Sequence, residues 1–287
     1  MSLKTLLLGI QASSGKLPTG TFKFQIETTE ENQQFTLPLG NQSTYNFNFI
    51  VDWGDGTSDS IITSYDDDDR IHTFVEIGTY DIELAGTCEI LTFGNDEGNS
   101  HLLLKKLLEF TEDMGFKLLS FYECSNLNTI IPLGNFNSLL QISFPLCTSI
   151  TTIPSGMFDN STKIIYFQST FYGCTGITSI PVNLFKYNTK AILFSRVFCG
   201  CIGLVHELDG NMFLYNTKVT NFEGAFYGCI GITGSGWGSG NIPETVEGTI
   251  IYNAEHQPIP PTETTYCFKD CDALTIETGL PIPVAWK

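Results

Sequence analysis

The sequence predicts a mainly β chain with two parts, an N-terminal β-sandwich and a C-terminal repeat solenoid. Two observations predict it. Residues 164–218 repeat themselves, IIYFQSTFYGCTGITSIPVNLFKYNTK followed by AILFSRVFCGCIGLVHELDGNMFLYNTK, with Lys163 to Lys190 spanning 27 residues and Lys190 to Lys218 spanning 28. A self-similar period in this range marks an array in which each unit buries its apolar face only against its neighbours. Ahead of it, residues 21–56 alternate apolar and polar with a period of two, the pattern of half-buried strands.

Composition bounds the rest. The 287 residues are 42% apolar and 13% aromatic, ample for a folded core. Formal net charge is −17, which disfavours nucleic acid and anionic lipid as direct partners. Only 16% of residues are charged, so much of the surface is neutral and polar, as suits an exposed binding module.

Residues 1–20 are read as an N-terminal arm rich in Gly, Ser and Pro. Their apolar run, LLLGI, is about five residues long, short of the roughly 7–15 of a signal peptide, so the arm is expected to stay unprocessed. No stretch of the length needed to span a bilayer occurs, and membrane insertion is not expected.

From 21 to 90 the strands TFKFQIET, QFTLPL and YNFNFIVDWGDG follow one another. Phe22, Phe24 and Ile26 alternate with Lys23 and Gln25, and Phe47, Phe49 and Val51 with Asn46, Asn48 and Ile50. Val51-Asp52-Trp53-Gly54-Asp55-Gly56-Thr57, then His72-Thr73-Phe74, then Gly78-Thr79-Tyr80-Asp81-Ile82, resemble a PKD-type domain (polycystic-kidney-disease repeat) over some 65–70 residues. That family carries W-x-F-G-D-G-T, H-x-Y/F and G-x-Y elements; here Trp53 abuts Gly-Asp-Gly directly. The resemblance implies an Ig-like sandwich in which Trp53 and Tyr80 fill the core and His72 packs and hydrogen-bonds. Asp55-Gly56 supplies the positive-φ residue of a tight turn.

Residues 51–100 hold thirteen acids against the single Arg70. Asp66, Asp67, Asp68 and Asp69 are candidate calcium ligands because carboxylate oxygens suit that ion; the competing reading is a solvated loop, and the spacing fits no EF-hand. TFGNDEGNSH marks a boundary, and residues 91–116 are read as linker and N-terminal cap, with 102–110 a helix or a capping strand.

Residues 117–287 carry F-x-x-C-x-x-[IL]-x-x-I-P-x-x-[LM]-F units: FYECSNLNTI, FPLCTSITTIPSGMF, the two units above, FYGCIGITGSGWGSGNIP and CFKDCDALTIETGLPIPVAWK. They resemble the BspA-like leucine-rich repeats of Bacteroidetes surface proteins and their phages. Ile282–Lys287 is similar to that family's C-terminal cap, whereas Leu208-Asp209 and GSGWGSG depart from the pattern. Within a unit, Ile177–Ile180 is expected as a strand ended by Pro181. Leu184 and Phe185 face inward, Asn188-Thr189 turn the chain, and Ile192 and Phe194 open the next strand. One strand per unit then builds a parallel sheet, with turns and short helices on the other side.

Six of the nine cysteines recur once per unit: Cys124, Cys147, Cys174, Cys201, Cys229 and Cys271. Such a column reads as core rungs, since free Cys behaves as a compact hydrophobe; disulfides between rungs are the alternative. Cys199/Cys201 and Cys267/Cys271 lack the second pair and His spacing of a zinc site.

No chemistry stands out. The four His (His72, His101, His206, His256) fall in no H-E-x-x-H, and there is no G-x-S-x-G or P-loop. An enzyme and a cofactor are not expected. Trp237, flanked by glycines, is the ligand-contact candidate, with a Trp folded back on the array edge as the alternative. The expectation is a structural and adhesion module on a particle surface. The first choice is a virion of a Bacteroidetes phage, with other surface proteins and host glycans or proteins as partners, in an oligomer or larger assembly. The rival is a secreted bacterial cell-surface adhesin.

Overall fold

The computed structural model describes residues 20–41, 44–94, 99–111, 113–205 and 212–232, together with 251–252, 258–259, 267 and 269–271. The N-terminal arm, Leu208-Asp209, His206, His256, Trp237 with its glycines, and the closing 282–287 lie outside the described residues. The chain is mainly β. Among the described residues helix is limited to α1 (Ser100–Leu103) and a 3-10 turn at Asp68–Arg70.

The strands run β1 (Thr21–Glu27), β2 (Gln33–Thr36), β3 (Phe47–Asp52), β4 (Ser60–Ile62), β5 (Ile71–Phe74), β6 (Thr79–Cys88), β7 (Ile90–Phe93), β8 (Leu104–Phe110), β9 (Leu118–Phe121), β10 (Gln141–Ser143), β11 (Ile251–Tyr252) and β12 (Pro258–Ile259). Five of them form an antiparallel sheet in the order β4-β3-β6-β1-β8. The period-two pattern places Phe22, Phe24 and Ile26 of β1 inward, all fully buried. On β3 the alternation breaks: Ile50, expected outward with the asparagines, is buried too, opposite the buried Ala85 of β6. β2 and β5 pair as a separate antiparallel ribbon whose Phe35 meets Phe24, Trp53 and Phe93.

The stretch read as linker and cap is built into both parts. Of the two alternatives, helix or capping strand, residues 104–110 are the strand: β8 pairs with β1 at the edge of the five-stranded sheet and, through the parallel bridge Lys106↔Thr129, with the first repeat unit. Leu104 and Leu107, three residues apart, are both buried because register shifts in the pairing set them opposite Ile26 and Phe24, and Phe110 stacks on Phe22 at 4.7 Å. β7 leaves in the other direction, pairing in parallel with β9, which pairs in parallel with β10.

Beyond β10 the strands shrink to single parallel bridges, Gln141↔Tyr166, Tyr166↔Leu193 and Leu193↔Asn221. The physical reason is a left-handed residue three places after each of the later bridge positions: Ser169 (φ 55), Arg196 (φ 55) and Gly224 (φ 58). These bend the chain before a strand can form. The bend adds two residues between bridge and ladder Phe (166 to 171, against 141 to 144), which accounts for part of the lengthening of the cysteine step from 23 to 27. Ile177–Ile180, expected as a strand, is not one, although Val205 N donates to Thr178 O of the preceding unit at 3.3 Å. The described turns of the units hold no helix.

Same positions of successive units nevertheless lie side by side. Phe93, Phe121, Phe144, Phe171, Phe198 and Phe226 form one stacked column with centroid steps of 5.1 to 5.8 Å. Phe167, Phe194 and Phe222 form a second, and Phe158, Phe185 and Phe213 a third, locked together by edge-to-face contacts. Such offset and T-shaped pairs each add about 0.5–1.5 kcal/mol to plain burial.

Candidate functional site

Three places hold the polar groups that the sequence singles out among the described residues. The first is the turn after β3. Asp52 Oδ1 accepts from Gly54 N at 2.9 Å, and Asp55 Oδ1 accepts from Thr57 N and Thr57 Oγ1 at 3.0 and 2.6 Å. Gly54 is required here: its φ is +76, and a Cβ would lie 2.5 Å from Asp81 O. The turn aims Asp55 Oδ2 at His72 Nε2, 2.7 Å away on β5, with only 12% and 14% of the two side chains exposed. Burial pushes the Asp55 carboxyl up, but the Thr57 and His72 hydrogen bonds outweigh it and hold it below the usual carboxylate value. An ionised carboxylate only accepts, so the proton of the pair sits on Nε2. His72 stacks on Trp53 at 4.6 Å, and Trp53 Nε1 donates to Ser60 Oγ at 3.0 Å. Tyr80, half-buried, stacks on Phe74. Trp, His and Asp thus form one clip joining two sheets. Both reactive edges of the imidazole's partner are used internally, an arrangement suited to holding a loop.

The acidic run is the second place. Asp67 Oδ2 accepts from Thr63 N at 3.0 Å and from Thr63 Oγ1 at 3.3 Å, while Oδ1 accepts from Asp69 N at 3.2 Å. Asp67 thereby caps the 3-10 turn, whose Asp68 and Asp69 open it and whose Arg70 closes it. Asp66 precedes the cap. Among the described residues no group of three or more His, Cys, Asp or Glu is placed to hold a metal ion.

A thiol ladder is the third. Cys147, Cys174, Cys201, Cys229 and Cys271 each donate Sγ–H to the carbonyl of the ladder Phe one unit earlier: Phe121, Phe144, Phe171, Phe198 and Phe226, at 2.9–3.0 Å. Cys147, Cys174, Cys201 and Cys229 are free thiols, and burial raises all four well above the ordinary thiol value. A protonated, enclosed thiol is a poor nucleophile and metal ligand. This column is core.

At the surface of the array, sequence reasoning missed Lys186, Tyr187 and Tyr215. Lys186 Nζ lies 5.4 Å from the Tyr187 ring centroid and 5.7 Å from that of Tyr215 one unit on. The signal was present in the aligned KYNTK and LYNTK segments, where Tyr precedes each buried Asn. No helix of the described residues is long and apolar enough to cross a membrane. Comparison of the chain with protein-family models, with curated proteins and with solved structures returned no match.

Proposed function

We propose that the chain is a non-enzymatic structural and adhesion module: a PKD-like β-sandwich followed by a BspA-like leucine-rich-repeat solenoid, displayed on a particle surface. The observation that carries this reading is the repetition itself. Five thiol-to-carbonyl rungs and a six-ring Phe column run through consecutive units, so the core is spent on an elongated face that neighbouring units share. Polar side chains of the head region are used to fasten turns, as Asp55, His72 and Asp67 do. Such a scaffold presents contacts for a protein or a glycan, and its partners would be other surface proteins of the particle and host molecules.

The particle is a virion of a Bacteroidetes phage, a reading that rests on the resemblance of the repeats. Gold-labelled antibody against the chain, applied to intact virions and to cells of the source, tests this. Label on virions is the expected result. Label confined to the cell envelope, with a mature N-terminus near Ser13–Gly15, would transfer the protein to the secreted-adhesin class.

A further inference from the structure

The array carries a charge pattern unlike that of the whole chain. Residues 51–100 hold thirteen acids and one cation, whereas residues 141–232 hold four acids (Asp159, Glu207, Asp209, Glu223) and five cations. Three of those cations, Lys163, Lys190 and Lys218, occupy one position of successive units, and all three are exposed. Their register is fixed from beneath. Asn188 Nδ2 donates to Ser161 O, and Asn216 Nδ2 donates to Asn188 O, each at 3.0 Å and each joining positions two residues ahead of a lysine. The adjoining ring column steps 5.8 Å from Phe158 to Phe185 and 5.7 Å from Phe185 to Phe213. The lysine backbones therefore succeed one another at about the 5 Å spacing of paired strands. On the same turns Lys186 bridges the rings of Tyr187 and Tyr215, which are 48% and 42% exposed. Asp159 stands at Lys186's position one unit earlier, and Glu223 is tied to Arg196 at 3.2 Å.

We infer that this edge binds a linear acidic polysaccharide of the polyuronate type, with one carboxylate on each sugar. The inference rests on the recognition role proposed above and names its ligand chemistry. One sugar residue advances its chain by a distance of the same order as one unit of the array, so successive carboxylates meet successive ammonium groups. Lysine is a compact charge on a flexible stem with three donors, and it tolerates the small mismatch that accumulates along such a pairing. The two tyrosines add amphipathic faces for the C–H side of sugar rings. Nucleic acid fits less well. It carries about one charge per 1.7 Å of duplex, several phosphates for each lysine of the row, so the row cannot match its charges one to one. A polyuronate separates its charges by neutral rings. At physiological ionic strength screening acts over about 8 Å, so acids elsewhere on the chain leave the local field of the row in place.

Titration calorimetry of the full chain with polygalacturonate, neutral dextran and single-stranded DNA of matched charge number tests this. The expected result is binding of polygalacturonate that weakens as NaCl is raised, with dextran silent and DNA weaker. K163A/K190A/K218A is expected to weaken polygalacturonate binding at least tenfold at an unchanged thermal midpoint. K190E alone should weaken it more than K190A, and Y187A/Y215A should weaken it without altering the salt slope. Absence of polygalacturonate binding, equal binding by the triple variant, or DNA binding as tight as the polyuronate would each overturn the inference. None of those outcomes bears on particle location, which the antibody labelling decides separately.

Discussion

Asp55 is the side chain that fastens the turn between β3 and β4, because one carboxylate serves Thr57 in the same turn and His72 on β5. Its folded pKa lies below the usual value. Its stabilising contribution is therefore fully present above the unfolded carboxyl value of about 3.9 and is lost as pH falls through the lower folded value. Asp55→Asn should cost about 1–3 kcal/mol at pH 7, the range for a charged hydrogen bond. It should also flatten the acid limb of the stability profile below about pH 4, where the wild type loses the Asp55 contribution. Urea titrations of both proteins at pH 7 and at pH 3 measure this, and an unchanged acid limb would show that other carboxylates set it. The thiols make a second expectation at this scale. Cys147, Cys174, Cys201 and Cys229 are buried and held protonated, so Ellman's reagent at pH 8 should leave them unmodified in the native chain and titrate them after unfolding in guanidinium. Rapid native labelling at those four positions would contradict the ladder.

Each unit is an element whose shape hangs on a few backbone positions. Gly203 is one of them: a Cβ there would lie 2.3 Å from Thr175 O of the preceding unit. Gly203→Ala must push two units apart and should cost about 1–3 kcal/mol, as overpacking does. Ser169 sets the opposite case, a non-glycine residue held at φ 55. Ser169→Gly relieves a left-handed strain of about 1–2 kcal/mol, less the entropy that glycine adds to the unfolded chain, and should raise the thermal midpoint slightly. Thermal melts of the two variants should move in opposite directions. These same positions show where the sequence could be read and where it could not. The period was legible because Phe, Cys and Asn recur at 27 or 28 residues, and those three types are the stacked ring, the thiol rung and the buried amide. Loss of the repeat strands was illegible because Ser169 and Arg196 carry no turn signature, although the third residue of the set is Gly224. β8 was ambiguous for a different reason. Leu-Lys-Lys-Leu-Leu follows the helical spacing i, i+3, i+4, and pairing with β1 and Thr129 overrides it, register shifts absorbing the mismatch with a strand period. His72 was expected to pack and hydrogen-bond, yet its partner Asp55 is 17 residues away and only the folded turn brings the two together. Trp237, singled out by its glycine neighbours, lies outside the described residues.

For the molecule as a whole, the consequence of β7 and β8 is that head and array share one interior. A single cluster of buried side chains runs from Phe22 on β1 to Cys271 in the last described unit. Phe93, at the end of the head's chain segment, is the first ring of the column that continues through Phe121 into the repeats. In a free-standing array each unit is stabilised only by its neighbours, and a terminal unit needs a cap. Here β7 provides that cap by pairing in parallel with β9, while Phe93 also meets Phe24 and Phe35 of the head at 6.0 and 6.5 Å. Phe121 sits at the junction, fully buried between Phe93 and Phe144. Phe121→Ala should cost about 3–5 kcal/mol, as for other large core rings. If the two parts are one cooperative body, the loss lowers a single midpoint that is the same for amide exchange in β1 and β6 of the head and around Phe171 and Phe198 of the array. Hydrogen exchange resolved by mass spectrometry across a urea series reads both regions at once. A head that keeps its protection while the array opens would show two independent units joined only by chain connectivity.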